Sequence, residues 1–301
     1  MQEFITLGKK IYNMKNPREK RRFFVFIGRA LIHRKTLKML LAWFNGDDLR
    51  RKMLSNNSFP IEQATRAFFY HNSNLTERIN LIKAHIIFLQ ETLQEEYFLR
   101  LTDISDSGVS VWQSTYNEKN WQVLLRTEGG QRKEGMLSLE MNLGSDHLYQ
   151  IMFWFAPDEK GDMSLWIGAL QGPNMPNARE VIKEITKYCH RYRTKNLILY
   201  MLQAVARGLN IKHIYAVSNE GYYANNHIRR DRKLKTDFGE FWQEAGGHIT
   251  TDPRFYELPL REPRKTVEEI PTRKRADYRK RFAFQDAIDE VITENVKKMM
   301  R

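Results

Sequence analysis

Two stretches decide the fold: Leu165–Gly172, LWIGALQG, and Thr194–Asn219, TKNLILYMLQAVARGLNIKHIYAVSN. In the second, Leu197, Ile198, Met201, Leu202, Val205 and Ala206 recur at the spacing that lays one apolar stripe along a helix, here Asn196 to Arg207. Gly208 stops it, because a residue without Cβ enters the left-handed terminal turn at no steric cost. Ile211, Ile214, Ala216 and Val217 then form a short β-prone run, less than fully apolar because of Lys212 and His213, that reads as a central strand. The order strand, turn, helix, strand suits a site that cradles a phosphate-bearing ligand at a helix start. The apolar residues are accounted for as core, so functional interest lies at the loop ends.

Working outward, residues 16–94 carry helical periodicity, with segments from Glu19 to Phe44, Pro60 to His71 and Leu75 to Gln94. From Tyr97 to Gln171 the pattern shortens to alternating runs: YFLRLTDI, VSVWQSTY, WQVLLRT, GMLSLEMNL, HLYQIMFWF and SLWIGALQ. Glycines punctuate them, and consecutive antiparallel strands are expected. Helix and strand alternate to Leu260, and a charged amphipathic helix runs from Tyr278 to Met299. The expected class is α+β: a helical N-terminal region, a mixed, mostly antiparallel sheet flanked by helices, and a basic C-terminal helix. The expected units are residues 1–94, 95–260 and 261–301.

Of the net charge of +13, residues 1–40 supply most, with eleven Lys or Arg against Glu3 and Glu19. Such a segment favours anionic partners, phosphodiesters or the acidic face of a membrane, although a solvated basic face with no partner stays open. The run FFVFIGRALI, Phe23 to Ile32, is interrupted by Arg29, and no small-residue cleavage site follows. Nothing else approaches the roughly 20 apolar residues that span a bilayer. A cytoplasmic protein, peripheral on the inner membrane, is expected. The lone Cys189 excludes an intramolecular disulfide and a cysteine zinc site, and reads as a buried inert thiol.

A meander that feeds strand, helix and strand, then another helix and a last strand, resembles the GNAT acyltransferase fold. NEGYYANN (Asn219 to Asn226), FWQEAGG and FYELPL echo its later elements. That resemblance implies an acyl thioester donor, acyl-CoA or acyl carrier protein, lying in a splay after LWIGALQG. The glycine-rich pyrophosphate loop is absent, and HRYRTK (His190 to Lys195) stands in its place, so Arg191, Arg193 and Lys195 would bind phosphate through side chains. Gln171, Gly172 and Asn196 complete the expected donor site.

Over nearly its whole length the chain is also similar to the bacterial VirK/YbjX family. PIEQATRAFFYHNSNLTERINLIKAHIIFL (Pro60 to Leu89), EGMLSLEMN, LYQIMFWF, LWIGALQG, KNLILYMLQAVARGLNIKHIYAVSN and the TRKRADYRKRF tail carry that similarity. It implies a Gram-negative protein associated with virulence, survival inside host cells, envelope remodelling and resistance to cationic antimicrobial peptides. No catalytic residues come with it.

Candidate catalytic groups are therefore weighed singly. Ser218 and Asn219 end the central strand, where open sheets present ligand loops. Tyr222 or Tyr223 could act as general acid toward a thiolate, against the alternative that they pack. Glu140 could act as general base if it faces a cleft and is partly desolvated. His71 and His85 have apolar neighbours and read as structural. No metal site is expected. No phosphate-loop, dinucleotide, zinc-protease or nucleophile-elbow motif occurs. The basic N-terminus, HIRRDRKLK (His227 to Lys235) and the tail alternate with acids, so nucleic acid is not the expected partner. Two functions are carried forward: an acyltransferase on an envelope component, and a non-catalytic adaptor that binds anionic membrane or an envelope-trafficking partner.

Overall fold

A computed structural model describes residues 1–226 and 237–301; the HIRRDRKLK run lies outside the described residues. Seven helices form the N-terminal third: α1 (Gln2–Ile11), α2 (Pro17–Ile32), α3 (Arg34–Asn45), α4 (Asp48–Asn56), α5 (Phe59–Thr65), α6 (Leu75–Thr92) and α7 (Glu95–Thr102). The strands β1 (Val109–Tyr116), β2 (Lys119–Arg126), β3 (Leu137–Leu143), β4 (Asp146–Pro157) and β5 (Met163–Gln171) form the meander. Then follow α8 (Ala178–Tyr188), α9 (Thr194–Gly208), β6 (Ile214–Val217), α10 (Phe238–Glu244), β7 (His248–Ile249), β8 (Phe255–Leu258) and α11 (Arg275–Met299).

The α+β class holds. One sheet runs in the order β1-β2-β3-β4-β5-β6-β8-β7, antiparallel throughout except for the parallel β5–β6 pair. Helix α6 packs against β4, α9 lies on β3 and β4, and α11 lies on α9. Gly208 permits that last contact, since a Cβ there would meet the Val296 side chain at 2.8 Å. A single hydrophobic cluster extends from α1 through the sheet to α11.

Several local readings change. YFLRLTDI is helix α7, because Phe98, Leu101 and Thr102 are buried at helical spacing and Glu95 and Glu96 favour a helix start. The helix expected from Glu19 to Phe44 breaks at His33 into α2 and α3. The segment expected to run to His71 leaves the helix at Thr65, and Phe69 and Asn72 take positive φ as the chain turns into α6. Between β5 and β6 the chain forms two helices, α8 and α9, joined by a basic turn in which His190 and Arg191 take φ 52° and 62°. Asn16 caps α2 through the Arg18 and Glu19 N–H groups, and Asn74 and Glu77 form a reciprocal capping box on α6.

Two features position the candidate site. Strands β5 and β6 share only three register pairs, ending at Ile167–Ala216, while β5 continues to Gln171. The β2–β3 loop crosses the sheet at Gly168, where a Cβ would lie 1.8 Å from the Glu134 carbonyl oxygen.

Candidate functional site

Cross-strand register builds two rows of side chains. Glu140, Gln150 and Gln171 are neighbours across β3, β4 and β5. Trp154, Trp166, Tyr215, Glu257 and His248 are neighbours across β4, β5, β6, β8 and β7. Gln150 and Trp154 are four residues apart on one strand, so both rows lie on the same face of the sheet.

The first row is buried and polar. Glu140 accepts hydrogen bonds from Ser138 Oγ at 3.0 Å and Gln150 Nε2 at 2.8 Å. Gln171 Nε2 donates to Glu134 Oε2 at 2.7 Å, and Tyr222 Oη donates to Glu134 Oε1 at 2.6 Å. Glu134 thus bridges the free end of β5 to the loop after β6 and occupies the gap that opens where their pairing stops. Burial pushes its carboxyl above the ordinary carboxylate range, opposed by the hydrogen bonds from Tyr222 and Gln171. Burial, followed by the Glu134 charge, pushes the Tyr222 phenol up as well. The loop that carries Glu134 is pinned: Arg132 Nε donates to buried Glu62 at 2.6 Å, Gln63 Nε2 donates to the Arg132 and Gly135 carbonyls, and the Phe69 N–H donates to the Lys133 carbonyl.

Glu140, Gln171 and Tyr222, named from sequence, are therefore brought into one row, and Glu134 and Gln150, which complete it, were missed. The signal for Glu134 was its place beside Gly135, ahead of a strand whose own glutamate drew the attention. The other candidates go elsewhere. Ser218 Oγ donates to the Pro253 carbonyl and accepts the Gly221 N–H, closing a turn. Asn219 Oδ1 accepts the Phe238 N–H and its Nδ2 donates to Asp237 at the start of α10. Tyr223 packs edge-on to Phe68 and Tyr222. Gly172 follows the end of β5. At the start of α9, Arg193 ion-pairs with Glu244 at 3.2 Å and the Lys195 ammonium lies 3.7 Å above the Phe241 ring, while Arg191 is exposed in the positive-φ turn and Asn196 Oδ1 is buried with no hydrogen-bond partner. His85 is structural: it accepts the Phe155 N–H at 3.0 Å, stacks on the Phe155 ring, and burial holds its pKa down to about 3.

The second row floors a cleft of about 760 Å³. Trp154 and Trp166 lie parallel at 6.4 Å, and Trp166 and Tyr215 stack at 4.3 Å. The opposite wall is Glu77, Asn80, Leu81 and Ala84 of α6, on successive turns of one helix face. The β4–β5 turn and the β7–β8 loop close the ends. The cleft lies toward the amino ends of the parallel pair, away from the start of α9. At its edge Asp158, Asp162 and His213 offer ligand atoms within 4.8 Å of one another. Lys212 ion-pairs with Asp162 at 2.6 Å and Asp158 accepts the Lys160 and Asp162 N–H groups, so the hairpin turn accounts for this cluster.

The N-terminal helices form a third feature. Phe23, Phe26 and Ala30 of α2 face inward, yet Phe24, Val25, Leu31 and Ile32 on the other side are exposed, Ile32 by 78% and Phe24 by 58%. Arg21 and Gly28 share that outer stripe, and Lys20, Arg34, Lys35, Lys38 and Met39 are exposed beside it. Among the described residues, no helix is long and apolar enough to cross a membrane.

Residues 15–294 match the model of a family described as protein of unknown function (DUF535). The chain is 27% identical over 240 residues to the uncharacterized protein YbjX of Escherichia coli (strain K12), covering 74% of this chain and 68% of that protein. It is 23% identical over 275 residues to an uncharacterized Haemophilus influenzae protein, covering 91% and 89%. A Mannheimia haemolytica protein named membrane protein LapB is 23% identical over 162 residues, 54% of this chain and 66% of that one. The chain belongs to the DUF535 family, that of YbjX.

Proposed function

We propose that this protein works at an anionic membrane surface as an envelope-associated adaptor, docking through α2 and the start of α3. The observation that supports the reading is the outward stripe of Phe24, Val25, Leu31 and Ile32, set among exposed lysines and arginines. Apolar side chains of this kind enter the headgroup boundary while cations beside them meet lipid phosphates, each worth about 1 kcal/mol near an anionic surface. The name of the Mannheimia haemolytica relative, membrane protein LapB, accords with it. So do the envelope remodelling, antimicrobial-peptide resistance and virulence implied by the VirK/YbjX resemblance.

Sedimentation with phosphatidylglycerol and phosphatidylcholine vesicles tests the proposal. Binding to the anionic vesicles should fall with salt and drop roughly 30- to 100-fold in the Phe24→Ser/Ile32→Ser variant, from the apolar burial lost. Equal binding to both lipids, or by the variant, would refute it.

Acyl transfer is the second reading, favoured by the parallel β5–β6 pair that stops pairing at Ile167–Ala216 beside Glu134, Tyr222 and Gln171. Glu134 would serve as base and Tyr222 as acid, and an acyl-CoA or acyl carrier protein thioester would enter beside them once the Glu134 side chain swung out of the gap on its anchored loop. Saturable acyl-CoA binding weakened by Arg191→Ala/Arg193→Ala supports it; no binding at high micromolar donor removes it.

A further inference from the structure

The cleft on the sheet plays no part in membrane docking, and its chemistry runs against that of the rest of the molecule. In a chain of net charge +13, its lining among the described residues holds five carboxylates and two cations of the Lys and Arg type, Lys160 and Arg254. Arg254 is already committed: its Nε and Nη2 bind Asp252 at 2.9 and 2.6 Å, and its Nη1 donates to the His71 carbonyl. Glu77 is likewise spent on the Tyr70 hydroxyl and the Asn74 N–H.

Asp158, held by backbone N–H groups of the hairpin turn, and Glu257, held by two histidines, face the aromatic floor with no lysine or arginine paired to them among the described residues. Asp158 and Glu257 flank Tyr215: its hydroxyl donates to Asp158 Oδ2 at 3.3 Å, and Glu257 is its register neighbour on β8. Glu257 also takes His213 Nδ1 at 3.0 Å and lies 3.5 Å from His248 Nε2. Burial, then Glu257 and Asp158, push the Tyr215 phenol up, as expected where negative potential is concentrated. Trp166 is half-buried against Tyr215, and Leu81 and Ile249 give the cleft apolar sides. An anion would meet a row of carboxylates here. A neutral apolar molecule would strip water from them and supply no compensating charge, at the cost of desolvation.

We propose that this cleft binds a small organic cation, an ammonium or guanidinium group on an aromatic or aliphatic body, with the charge between Asp158 and Glu257 and the body against Trp166 and Leu81. Indole and phenol faces attract cations through their quadrupole, and the carboxylates supply charge-assisted contacts. The volume lies in the range of small-molecule sites.

Titration calorimetry of the full chain without lipid tests this, with benzyltrimethylammonium, benzenesulfonate and a lysine-rich pentapeptide as probes. The ammonium probe should bind one to one and the sulfonate should not. Glu257→Gln, Asp158→Asn and Trp166→Leu should each weaken the ammonium about tenfold, the size of one desolvated contact of this kind. Each amide variant keeps one acceptor oxygen and turns the other into a donor, so thermal unfolding is measured beside binding, and Trp166→Leu, which removes no hydrogen bond to either carboxylate, keeps the test independent of the turn. Equal binding of ammonium and sulfonate, no ammonium binding, or affinity unchanged in all three variants would overturn the proposal. Tighter binding of the pentapeptide than of the small cation would overturn it in favour of a polypeptide ligand. Failure of vesicle docking leaves this result untouched.

Discussion

Replacing Gly168 by alanine should lift the β2–β3 loop from the sheet. The new methyl carbon would lie 1.8 Å from the Glu134 carbonyl oxygen and 2.9 Å from the Trp154 ring. The carbonyl must therefore retreat by about 1.6 Å to reach ordinary van der Waals contact. Sheet backbone on one side and the Arg132–Glu62 anchor on the other leave no slack for that movement. The displacement carries Glu134 away from Gln171 and Tyr222, whose hydrogen bonds to a carboxylate are worth about 1.5–3 kcal/mol each. The loss is about 3–6 kcal/mol, a large part of the 5–15 kcal/mol that usually separates folded from unfolded domains. Urea denaturation measures it, and amide exchange of Phe69, whose N–H donates to the Lys133 carbonyl at 2.8 Å, reports loop release directly. Gly28→Ala is the matched control: nothing lies within 4 Å of its added Cβ, and it should stabilise α2 by about 0.5–1 kcal/mol. A Gly168→Ala protein with wild-type stability and a protected Phe69 amide would refute the crossing at Gly168, and with it the plugging of the gap by Glu134.

Other outcomes follow from buried and paired groups. His85 is held near pKa 3 in the folded state, so below about pH 6.5 the unfolded chain binds a proton that the folded one refuses. Stability should fall by up to about 1.4 kcal/mol per pH unit as acid is added, and His85→Gln, which keeps an acceptor for the Phe155 N–H, should remove about 2 kcal/mol of the loss between pH 7 and 5; superimposed profiles would show that His85 is not buried neutral. Asp252 is held below the ordinary range chiefly by the Arg254 hydrogen bonds, so its stabilisation is present above about pH 4 and lost as pH falls through the folded value. Asp252→Asn should cost about 1 kcal/mol at pH 7 and flatten the acid limb, and an unchanged limb would discount the pair. Burial pushes the Cys189 thiol up to about 12, so a thiol reagent should label it only on unfolding, and rapid labelling of the native protein would contradict its burial.

The periodicity of Leu197 to Ala206 and the apolar run at Ile214 made α9 and β6 readable, because a fully covered helix and strand announce themselves by composition. YFLRLTDI did not, since five apolar residues in eight fit a strand face as well as a helix stripe, and the decision rests on packing against β1 and β2. A gap at the end of β5 was implied by the GNAT resemblance alone, and its occupant was not. Glu134 comes from a loop more than thirty residues earlier in sequence, and no local pattern signals that a loop will cross a sheet at a glycine. The aromatic floor was invisible for the same reason. No local pattern joins Trp154, Trp166 and Tyr215, and only the register sets them in one row. The N-terminal charge was plain, whereas the outward turn of Phe24 and Ile32 required knowing which face of α2 the core had already claimed.

The most direct test of membrane docking uses the inert Cys189 as its silent background. An environment-sensitive fluorophore is attached to cysteine introduced by Ile32→Cys, and separately by Lys160→Cys at the cleft, and each protein is mixed with phosphatidylglycerol vesicles. Docking through α2 predicts a blue shift and protection from aqueous quencher at position 32 and neither at position 160. No shift at position 32, or the same shift at both positions, would contradict it.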